Sequence, residues 1–568
     1  MISWGSRAFI LQGGQLLPLY NTSMFVPPLR VPALLCLAAI SPAFAAVDQV
    51  PQLTLEIQDF ATLPMTGKAN GTGQNTGLLA RVNFMREEPG GTKNRIFVND
   101  LNGPLYILDK QTRKFTTYLN FNGRDGQPGL FRRLPTQSGF ANGFICFTFD
   151  PDYARNGRFY TIHLEDPESG GAAEPDISNF PGLTAAWETT PAIPTPGRTL
   201  REAVLLEWTD TNTSNTTFEG TARELMRVQL NGQSHPMGDL VFNPTARPGD
   251  PDWRVLYIAC GDGSSGELKD PGMRSNPQRL DTVVGKILRI VPDLSQNQAS
   301  TTLSQNGRYR IPKDNPFASK PGERAEIWAY GLRNPTRLTW DADPQNPRDN
   351  HLLASVIGLY TWETVVEIRK GANYGYSLRE GNQKLEADNK VSDLPADDRI
   401  PVRINATETD GMVTPTYPLL QYGHVQGGGD AISSGYPYRG KALPQLAGKY
   451  VLGDISTGNV WWVNYGKMLS ADVTKPQTTV ELHPIKFRWT RPGGSAGEVY
   501  GSMYAITELA YHARGGTAKN LPGYAKVPAG GRSDIHFWAD SEGELYITSK
   551  SDGMIRKVTG ATAESSDK

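Results

Sequence analysis

Two short segments combine residue types that can bind a ligand or move a proton. His235 stands in a turn that leads into an apolar strand ending at Phe242. An imidazole is the usual base near neutral pH, because its unperturbed pKa lies there. Arg333 and Asn334 fill a turn before Pro335, which fixes its own φ and pushes Asn334 towards an extended conformation. The alternatives are a histidine that hydrogen-bonds only its own loop and a turn that only caps a sheet.

Other motifs in the sequence are weaker. Gly261-Asp262-Gly263 follows an apolar strand and can present carbonyls or a carboxylate, or form an ordinary hairpin turn. The glycine-rich segment from His424 to Asp430 could carry a metal or a supporting role, with a plain loop as the alternative. The sequence contains no Walker lysine loop, EF-hand loop, HExxH motif, zinc-type Cys/His spacing or G-x-S-x-G elbow. Its formal net charge of −1 does not indicate a nucleic-acid partner.

A repeated strand pair must position these residues. An apolar strand, a polar turn ending in glycine and a second apolar strand recur within residues 96–107, 450–463 and 545–558. Helical periodicity is scarce, and the repeats predict an all-β fold: a β-propeller of four-stranded antiparallel blades, about six for this length. A chain of two β-sandwich domains is the alternative. The polar, proline-rich segments at about 166–200 and 385–415 predict long loops.

The first 45 residues predict a secretory signal peptide. A basic segment beginning at Met24, which is a candidate for the true start, precedes the apolar run 31–40. Small residues around Ala45 and Ala46 then provide a cleavage site. The apolar run is too short to span a membrane comfortably. We therefore expect residues 46–568 to form a single domain that is periplasmic or secreted, without a membrane span.

Two cysteines remain in the predicted mature chain. Cys146 and Cys260 each lie in an apolar strand. In an oxidising compartment they could form a disulfide, and two buried free thiols are the alternative.

Nine segments in a fixed order resemble the glucose/sorbosone dehydrogenase family, which includes soluble quinoprotein sugar dehydrogenases. They are NGFICFTFDPDYARNGRFY (142–160), HPMGDLVF (235–242), GDG (261–263), GKILRI (285–290), IPKDNP (311–316), YGLRNP (330–335), GANYG (371–375), PYRG (437–440) and LPQLAG (443–448). Each segment alone is weakly specific, but together they cover nearly the whole predicted mature chain. The resemblance implies a six-bladed β-propeller, in agreement with the repeats.

The resemblance also implies an activity and a set of site residues. The activity is oxidation of a sugar or other alcohol by hydride transfer to pyrroloquinoline quinone, assisted by Ca²⁺ and followed by an external electron acceptor. His235 falls on the base that takes the hydroxyl proton. Arg333 and Asn334 fall on the pair that contacts the quinone carbonyls. The further implied positions are Glu267 and Arg532 for the cofactor and the main-chain carbonyls of Gly358 and Leu359 for calcium.

Five positions depart from the family pattern. Ser234 replaces an acid that precedes the base histidine, and Ala141 replaces a glutamine. Ser456 replaces a lysine that meets a cofactor carboxylate, and Gly531 and Ser533 replace two arginines. Burying the carboxylates of pyrroloquinoline quinone without cations is costly, so weak, rearranged and absent cofactor binding all stay open. The alternative function is a non-catalytic propeller that binds a carbohydrate or protein ligand. A metal-dependent propeller hydrolase, such as a lactonase, is a third hypothesis.

Overall fold

The structure is a computed structural model that describes most of the chain from residue 50 onward. The described residues are 50–71, 77–90, 94–136, 141–184, 187–343, 346, 348–424, 428–476, 480–491, 493–494, 497–523 and 530–564. The predicted signal peptide, residues 1–45, lies outside them. β-Strands dominate the described chain, which confirms the predicted all-β class. None of its helices is long and apolar enough to cross a bilayer.

The regular elements are mostly short strands. The strands are β1 Gln52–Thr62, β2 Val82–Glu87, β3 Arg95–Asp100, β4 Pro104–Asp109, β5 Phe115–Asn120, β6 Phe144–Phe149, β7 Arg158–Glu165, β8 Arg201–Asp210, β9 Gly220–Leu230, β10 Met237–Phe242, β11 Leu256–Cys260, β12 Lys286–Ile290, β13 Thr301–Leu303, β14 Arg310–Pro312, β15 Ile327–Tyr330, β16 Asn334–Asp341, β17 His351–Ile357, β18 Trp362–Glu367, β19 Arg379–Glu380, β20 Gln383–Leu385, β21 Val391–Ser392, β22 Ile400–Arg403, β23 Thr409–Val413, β24 Leu420–Gly423, β25 Ile432–Pro437, β26 Lys449–Asp454, β27 Val460–Asn464, β28 His483–Trp489, β29 Glu498–Tyr500, β30 Ile535–Ala539, β31 Leu545–Ser549 and β32 Met554–Glu564. The α-helices are α1 Tyr153–Asn156, α2 Pro271–Arg274, α3 Tyr465–Leu469 and α4 Met503–Ala513.

Four separate sheets each contain four strands. Their strand orders are β2-β3-β4-β5, β6-β7-β8-β9, β10-β11-β12-β15 and β16-β17-β18-β24. Neighbouring strands within them are antiparallel, as expected for strands joined by short turns. These sheets follow one another along the chain, so each uses a nearly continuous stretch of sequence.

The remaining large sheet joins the beginning and the end of the described chain. Its path is β25-β26-β27-β28-β1-β32-β31-β30, with β29 on the side of β28. Strand β1 pairs antiparallel with β32 and parallel with β28. The parallel pairing is the point where two runs of four strands meet.

All three hairpins predicted from the sequence are confirmed. Residues 96–107 fall in β3 and β4, residues 450–463 in β26 and β27, and residues 545–558 in β31 and β32, each pair antiparallel. The turn before Pro335 is not a hairpin turn, because it joins β15 to β16 and these two strands belong to different sheets. Arg333 therefore lies on a crossing from one sheet to the next.

The two segments predicted as long loops differ from each other. The described part of residues 166–200 contains two 3₁₀ turns, Pro167–Ser169 and Ile177–Asn179, and none of the strands. Residues 385–415 contain strands β21, β22 and β23 instead. Strands β22 and β23 form a two-stranded sheet of their own, and β21 pairs with β20.

Apolar side chains fill the space between neighbouring sheets, and both cysteines lie in this core. Phe121 stacks on Phe144 with ring centroids 4.1 Å apart, which joins the first two four-stranded sheets. Cys146 and Cys260 are buried and free, so the disulfide alternative is not what the structure shows. Burial in this apolar setting raises the pKa of the Cys260 thiol to about 12.

Candidate functional site

One cavity brings all the predicted site residues together. Its volume is about 280 Å³, close to the lower end of the range of roughly 300–1,000 Å³ for small-molecule sites. We call this cavity the pocket. The predicted residues that line it are His235, Glu267, Arg333, Asn334, Gly358, Leu359 and Arg532.

The pocket lies near the starts of strands from several different sheets. Its lining includes Asn83 in β2, Ile145 in β6, Gly238 in β10, Arg337 in β16, Ala431 just before β25 and His536 in β30. Six segments far apart in sequence therefore converge on one volume. A side chain near the start of any of these strands can reach the same ligand.

His235 and Asp262 form a hydrogen-bonded pair at the edge of the pocket. His235 Nδ1 lies 2.7 Å from Asp262 Oδ1. Because a carboxylate only accepts, the ring proton sits on Nδ1 and leaves the lone pair of Nε2 available as a base. The Asp262 carboxylate is buried and also accepts the amides of Ser264 and Gly266, both at 2.9 Å. It therefore holds the imidazole in one orientation.

The backbone around His235 is strained, and a neighbouring loop holds it. His235 has a φ of +56°, which is unusual for a residue with a side chain. The Gly263 amide donates to the His235 carbonyl at 3.0 Å, and the Gly261 amide donates to the Pro236 carbonyl at 2.9 Å. A Cβ at Gly261 would lie 2.5 Å from the His235 carbonyl oxygen, so a side chain there would displace this turn. The Gly-Asp-Gly turn noted in the sequence thus positions the histidine.

Arg333 and Asn334 lie side by side in the pocket and are almost fully buried. Arg333 forms an ion pair with Glu267 at 2.8 Å and also donates to the Gly358 carbonyl. Burial alone would lower the pKa of Arg333, but the carboxylates of Glu267 and Asp262 outweigh it and raise that pKa above its ordinary value. Within the described chain, Arg333 Nε and Asn334 Oδ1 have no hydrogen-bond partner. Two buried polar atoms at a cavity wall are what a bound polar ligand would satisfy.

Two buried carboxylates that the sequence reasoning missed fix the loop that carries Gly358 and Leu359. Glu380 Oε1 accepts the four consecutive amides of residues 359–362, at 2.8–3.1 Å. Glu363 Oε1 accepts the amide of Gly358 at 3.1 Å. No local pattern marks Glu380, because the amides that it accepts lie 18–21 residues earlier in the chain.

The arrangement around Gly358 and Leu359 does not fit a calcium site. The Gly358 carbonyl accepts from the Arg333 guanidinium, so a positive charge already lies beside the carbonyl implied for the metal and disfavours a cation there. Calcium takes six to eight oxygen ligands, usually with several carboxylates. Among the described residues, no group of three or more His, Cys, Asp and Glu side chains is arranged to hold a metal ion.

A second histidine–carboxylate pair, His424 and Glu363, lies at the pocket. His424 Nε2 lies 2.7 Å from Glu363 Oε1, and Glu363 Oε2 accepts the Ile432 amide at 2.7 Å. Burial raises the pKa of Glu363 to about 7, against the effect of His424. Part of the predicted segment from His424 to Asp430, residues 425–427, lies outside the described residues. Both of its end residues line the pocket.

The residues at the five positions that depart from the family pattern pack into the surrounding structure. Three of them are serines with hydrogen bonds: Ser234 to Ser264, Ser456 to Asp430, and Ser533 to Thr507 of α4. Gly531 has a φ of +66°, and a Cβ there would lie 1.8 Å from the Leu521 carbonyl oxygen. An arginine cannot stand at that position without moving the chain. Ala141 lines the pocket.

Cations reach the pocket from other positions, which the sequence reasoning missed apart from Arg532. Lys550, which follows β31, lines the pocket together with Arg337, Arg532 and His536. We call these four residues the basic cluster. All are at least nine-tenths buried. Lys550 lies in a Ser-Lys-Ser-Asp-Gly hairpin turn, a composition that indicates only a turn.

The fold and the site define an all-β protein with a histidine–aspartate pair and buried cations around a ligand-sized pocket. The chain belongs to the Glucose / Sorbosone dehydrogenase family, whose family model matches residues 92–482. That range contains His235, Arg333 and the Gly358 loop, whereas the residues of the basic cluster from 532 onward lie beyond it.

Individual relatives are distant. The chain is 28% identical to the HIPL1 protein of Arabidopsis thaliana over 340 residues, covering 56% of this chain and 43% of that protein. It is 29% identical to the HIPL2 protein of the same plant over 384 residues, covering 64% and 50%. The chain thus spans about half the length of these curated relatives. A solved structure of the soluble aldose sugar dehydrogenase of Escherichia coli in its apo-form aligns over 90% of this chain and 99% of its own, with 16% identity and a TM-score of 0.49.

Proposed function

We propose that this protein is a quinone-dependent dehydrogenase that oxidises a hydroxyl group of a sugar or a related alcohol. The observation that carries the proposal is the His235–Asp262 pair at the edge of a pocket that Arg333 and Asn334 also line. A base with one nitrogen fixed and the other available is what removal of a hydroxyl proton needs. Membership of the Glucose / Sorbosone dehydrogenase family supports the same reaction class.

We also propose six blades around this pocket. Four four-stranded sheets are separate, and the eight-strand path divides at the parallel β28–β1 contact into β25–β28 and a second set of four strands. That second set combines β1 with β30, β31 and β32, so the last blade takes one strand from the beginning of the chain. Together these are six units of four strands, and each contributes to the pocket through its first strand or the residue before it.

The residues present fit pyrroloquinoline quinone as the oxidant. Arg333 Nε and Asn334 Oδ1 are buried at the pocket wall without partners in the described chain, and Arg532 adds a cation. Arg333 stays charged, since the nearby carboxylates raise its pKa. When bound, the quinone supplies the two-electron acceptor for a hydride.

A residue of the chain itself accepts the proton that the substrate hydroxyl loses. His235 Nε2 accepts the proton of the substrate hydroxyl while the hydrogen on the same carbon leaves as hydride, so the C–OH group becomes a carbonyl. Asp262 keeps the ring in the tautomer that has Nε2 unprotonated, and it stabilises the imidazolium that forms. Arg333 provides a positive charge at the pocket wall. This charge would stabilise the negative charge that develops on the quinone as it is reduced. No step in this mechanism uses a calcium ion, because the Arg333 guanidinium beside the Gly358 carbonyl disfavours a second cation there.

Export completes the proposal. The basic segment, the apolar run and the small residues before Ala46 support a cleaved leader and a periplasmic or secreted protein. Cell fractionation and the mass of the mature N-terminus test this. A protein retained in the cytoplasm with an intact leader would contradict it.

Reconstitution tests the proposed activity. Purified protein is mixed with pyrroloquinoline quinone, with and without Ca²⁺, and offered aldoses and a redox dye. We expect a change in the cofactor absorbance on mixing and dye reduction that depends on sugar. Absence of both effects would remove the dehydrogenase proposal.

A non-catalytic binding protein is the second candidate, and one observation favours it. The Arg333 guanidinium pairs with Glu267 and donates to the Gly358 carbonyl, so its positive charge disfavours a metal ion at the carbonyl that the family resemblance assigned to calcium. A pocket of this kind can hold a carbohydrate without oxidising it. Sugar binding without cofactor uptake would select this function over the first.

A further inference from the structure

The basic cluster gives the pocket an excess of positive charge on the side formed by β16 and β30. Arg337 lies in β16, His536 lies in β30, Arg532 precedes β30 and Lys550 follows β31. Lys550 Nζ lies 3.0 Å from Asp534 Oδ1, and the charge of Asp239 acts on Arg337. Asp239 also pairs with Arg86, so the positive groups on this side of the pocket outnumber these two carboxylates.

The donors of Arg337 are directed to neutral acceptors. Its Nη2 donates to the carbonyl and to the Oδ1 atom of Asn83, at 2.9 and 3.0 Å, and its Nη1 donates to the Thr336 carbonyl at 2.7 Å. The guanidinium also lies 3.9 Å from the centre of the Phe84 ring. The nearby carboxylate of Asp239 hydrogen-bonds Arg86 at 2.8 Å. Within the described residues Arg337 forms no ion pair, and the charge of Asp239, which acts on it, is shared with Arg86.

The Lys550 ammonium group has one more N–H donor than its two contacts use. An ammonium group has three N–H donors. In the described chain, Lys550 Nζ contacts Asp534 Oδ1 at 3.0 Å and His536 Nε2 at 3.1 Å. These two contacts leave the third donor for a group inside the pocket that Lys550 lines.

The surroundings disfavour further positive charge, as expected for an unneutralised cluster. Burial, together with Arg337 and Arg532, lowers the pKa of Lys550 to about 8 in spite of Asp534. Burial and the same cations lower the pKa of His536 well below its ordinary value. A negative group placed beside these residues would remove this unfavourable electrostatic energy.

We propose that the basic cluster is a subsite for a carboxylate of the pocket's ligand, bound through Lys550 and Arg337 with Arg532 beside them. The proposal deepens the proposed function, since it assigns replacements for the cations missing at Ser456, Gly531 and Ser533. A carboxylate can come from two sources, the quinone cofactor or an acidic sugar such as a uronate. The chemistry recognised is the same for both.

Carboxylate binding at this subsite is coupled to protonation of Lys550. The charged and titratable groups that face Lys550 are Asp534, His536, Arg337 and Arg532, and Arg81 lies near Asp534. A carboxylate in the pocket favours the ammonium form, so binding takes up protons near and above pH 8 and affinity falls as the pH rises through that value.

Calorimetry on the full mature chain tests the subsite. Pyrroloquinoline quinone, glucuronate and glucose are titrated at pH 6.5 and 9, in two buffers with different ionisation enthalpies, into wild type, Lys550→Met and Lys550→Arg. Lys486→Met, on an exposed position of β28, is the matched control. Urea unfolding of each variant establishes that it is folded.

We expect Lys550→Met to weaken binding of the carboxylate ligand by about 10- to 100-fold, the effect of one charged hydrogen bond. Lys550→Arg retains binding but removes proton uptake near pH 8, and glucose binding is unchanged in both variants. If only the quinone responds, the cofactor supplies the carboxylate, and if only glucuronate responds, the substrate does.

The remaining outcomes separate this proposal from the proposed function. Quinone and glucuronate affinities that are the same in wild type and a folded Lys550→Met variant would overturn the subsite while leaving the dehydrogenase intact. Glucuronate binding that depends on Lys550 without any quinone binding would remove the dehydrogenase and retain the subsite. No binding of either acid to the wild type overturns both.

Discussion

At the scale of single residues, the site consists of polar groups that the fold holds in costly positions. His235 has a left-handed backbone and a ring fixed by Asp262. Arg333 is buried and compensated by Glu267, and Asn334 is buried with an unsatisfied oxygen in the described chain. A protein retains such strain and desolvation where a ligand or a reaction uses them. The roles of these residues can be separated by substitution.

Substitution of His235 should abolish most of the turnover. His235→Asn removes the base, and we expect turnover to fall by at least about 10²-fold with cofactor affinity retained. Asp262→Asn should lower turnover by no more than His235→Asn does, because Asp262 positions the base without accepting the proton. It should also alter the pH dependence of turnover. Steady-state kinetics over pH measures both variants.

The control for this pair of variants is His512→Asn, which changes an exposed histidine of α4. It should leave turnover unchanged. Wild-type turnover in a folded His235→Asn variant would mean that another group is the base.

The pair of Glu363 and His424 should make stability depend on pH. Burial raises the pKa of Glu363 from 4.5 to about 7, and Glu363 raises the pKa of His424 above its ordinary value despite burial. The folded state therefore binds more protons than the unfolded state between about pH 4.5 and 7, so stability falls as the pH rises through this window. The slope is at most about 1.4 kcal/mol per pH unit for each proton.

Urea unfolding between pH 5 and 7.5 measures this slope. Glu363→Gln should flatten it, because the variant has no carboxyl proton to lose and His424 loses its charged partner. Glu481→Gln, at an exposed carboxylate, should retain the wild-type slope. An unchanged slope in Glu363→Gln would assign the pH dependence to other groups.

At the scale of elements, turns and loops carry the site, and buried carboxylates hold them. Strands β17 and β18 are joined by a loop whose four consecutive amides converge on one oxygen of Glu380. That glutamate lies in the two-residue strand β19, outside the four-stranded sheet. The short strand therefore has a structural role at the pocket that its length does not indicate.

Removal of Glu380 should loosen the loop that borders the pocket. Glu380→Ala leaves the amides of residues 359–362 without their acceptor, and we expect a loss of at least about 1–3 kcal/mol in the free energy of unfolding. Hydrogen exchange should accelerate at these amides. Glu380→Gln, which keeps an accepting oxygen, should restore part of the protection.

The matched control is Glu481→Ala, which removes an exposed carboxylate. It should change neither the free energy of unfolding nor the exchange of the loop. Equal exchange at residues 359–362 in wild type and Glu380→Ala would show that other contacts hold the loop.

At the scale of the whole molecule, the two ends of the described chain are joined in one sheet. Strand β1 lies between β32 and β28, so residues near position 55 pair with residues near positions 561 and 487. Leu55 is fully buried at this junction. Cooperative unfolding of the whole domain is expected, because opening this junction exposes the core on both sides.

A cavity at the junction should destabilise the entire protein. Leu55→Ala should lower the free energy of unfolding by about 2–5 kcal/mol. Gln58→Ala, at an exposed position of the same strand, should change it by less than about 0.5 kcal/mol. Denaturant unfolding followed by tryptophan fluorescence measures both. A similar small effect for the two variants would mean that β1 contributes little to the fold.

Local sequence determined the strands and the order of the motifs. The hairpins of residues 96–107, 450–463 and 545–558 form as predicted, because apolar alternation and glycine turns act between residues that are close in the chain. The seven site residues that the family resemblance implied all line one pocket. Local pattern predicted the hairpins, and the resemblance predicted the residues that line the pocket.

Only the tertiary structure decided how charge is distributed in the pocket. Glu380, Glu363 and Lys550 have no distinctive local pattern, because their main partners lie on other segments of the chain that the fold brings beside them. The sequence indicated that three cations of the family pattern are missing, whereas the fold brings Arg337 and Lys550 to the pocket from positions 213 residues apart. Contacts, burial and pKa values depend on which distant segments meet, and that convergence follows from packing of the sheets and not from local residue preference.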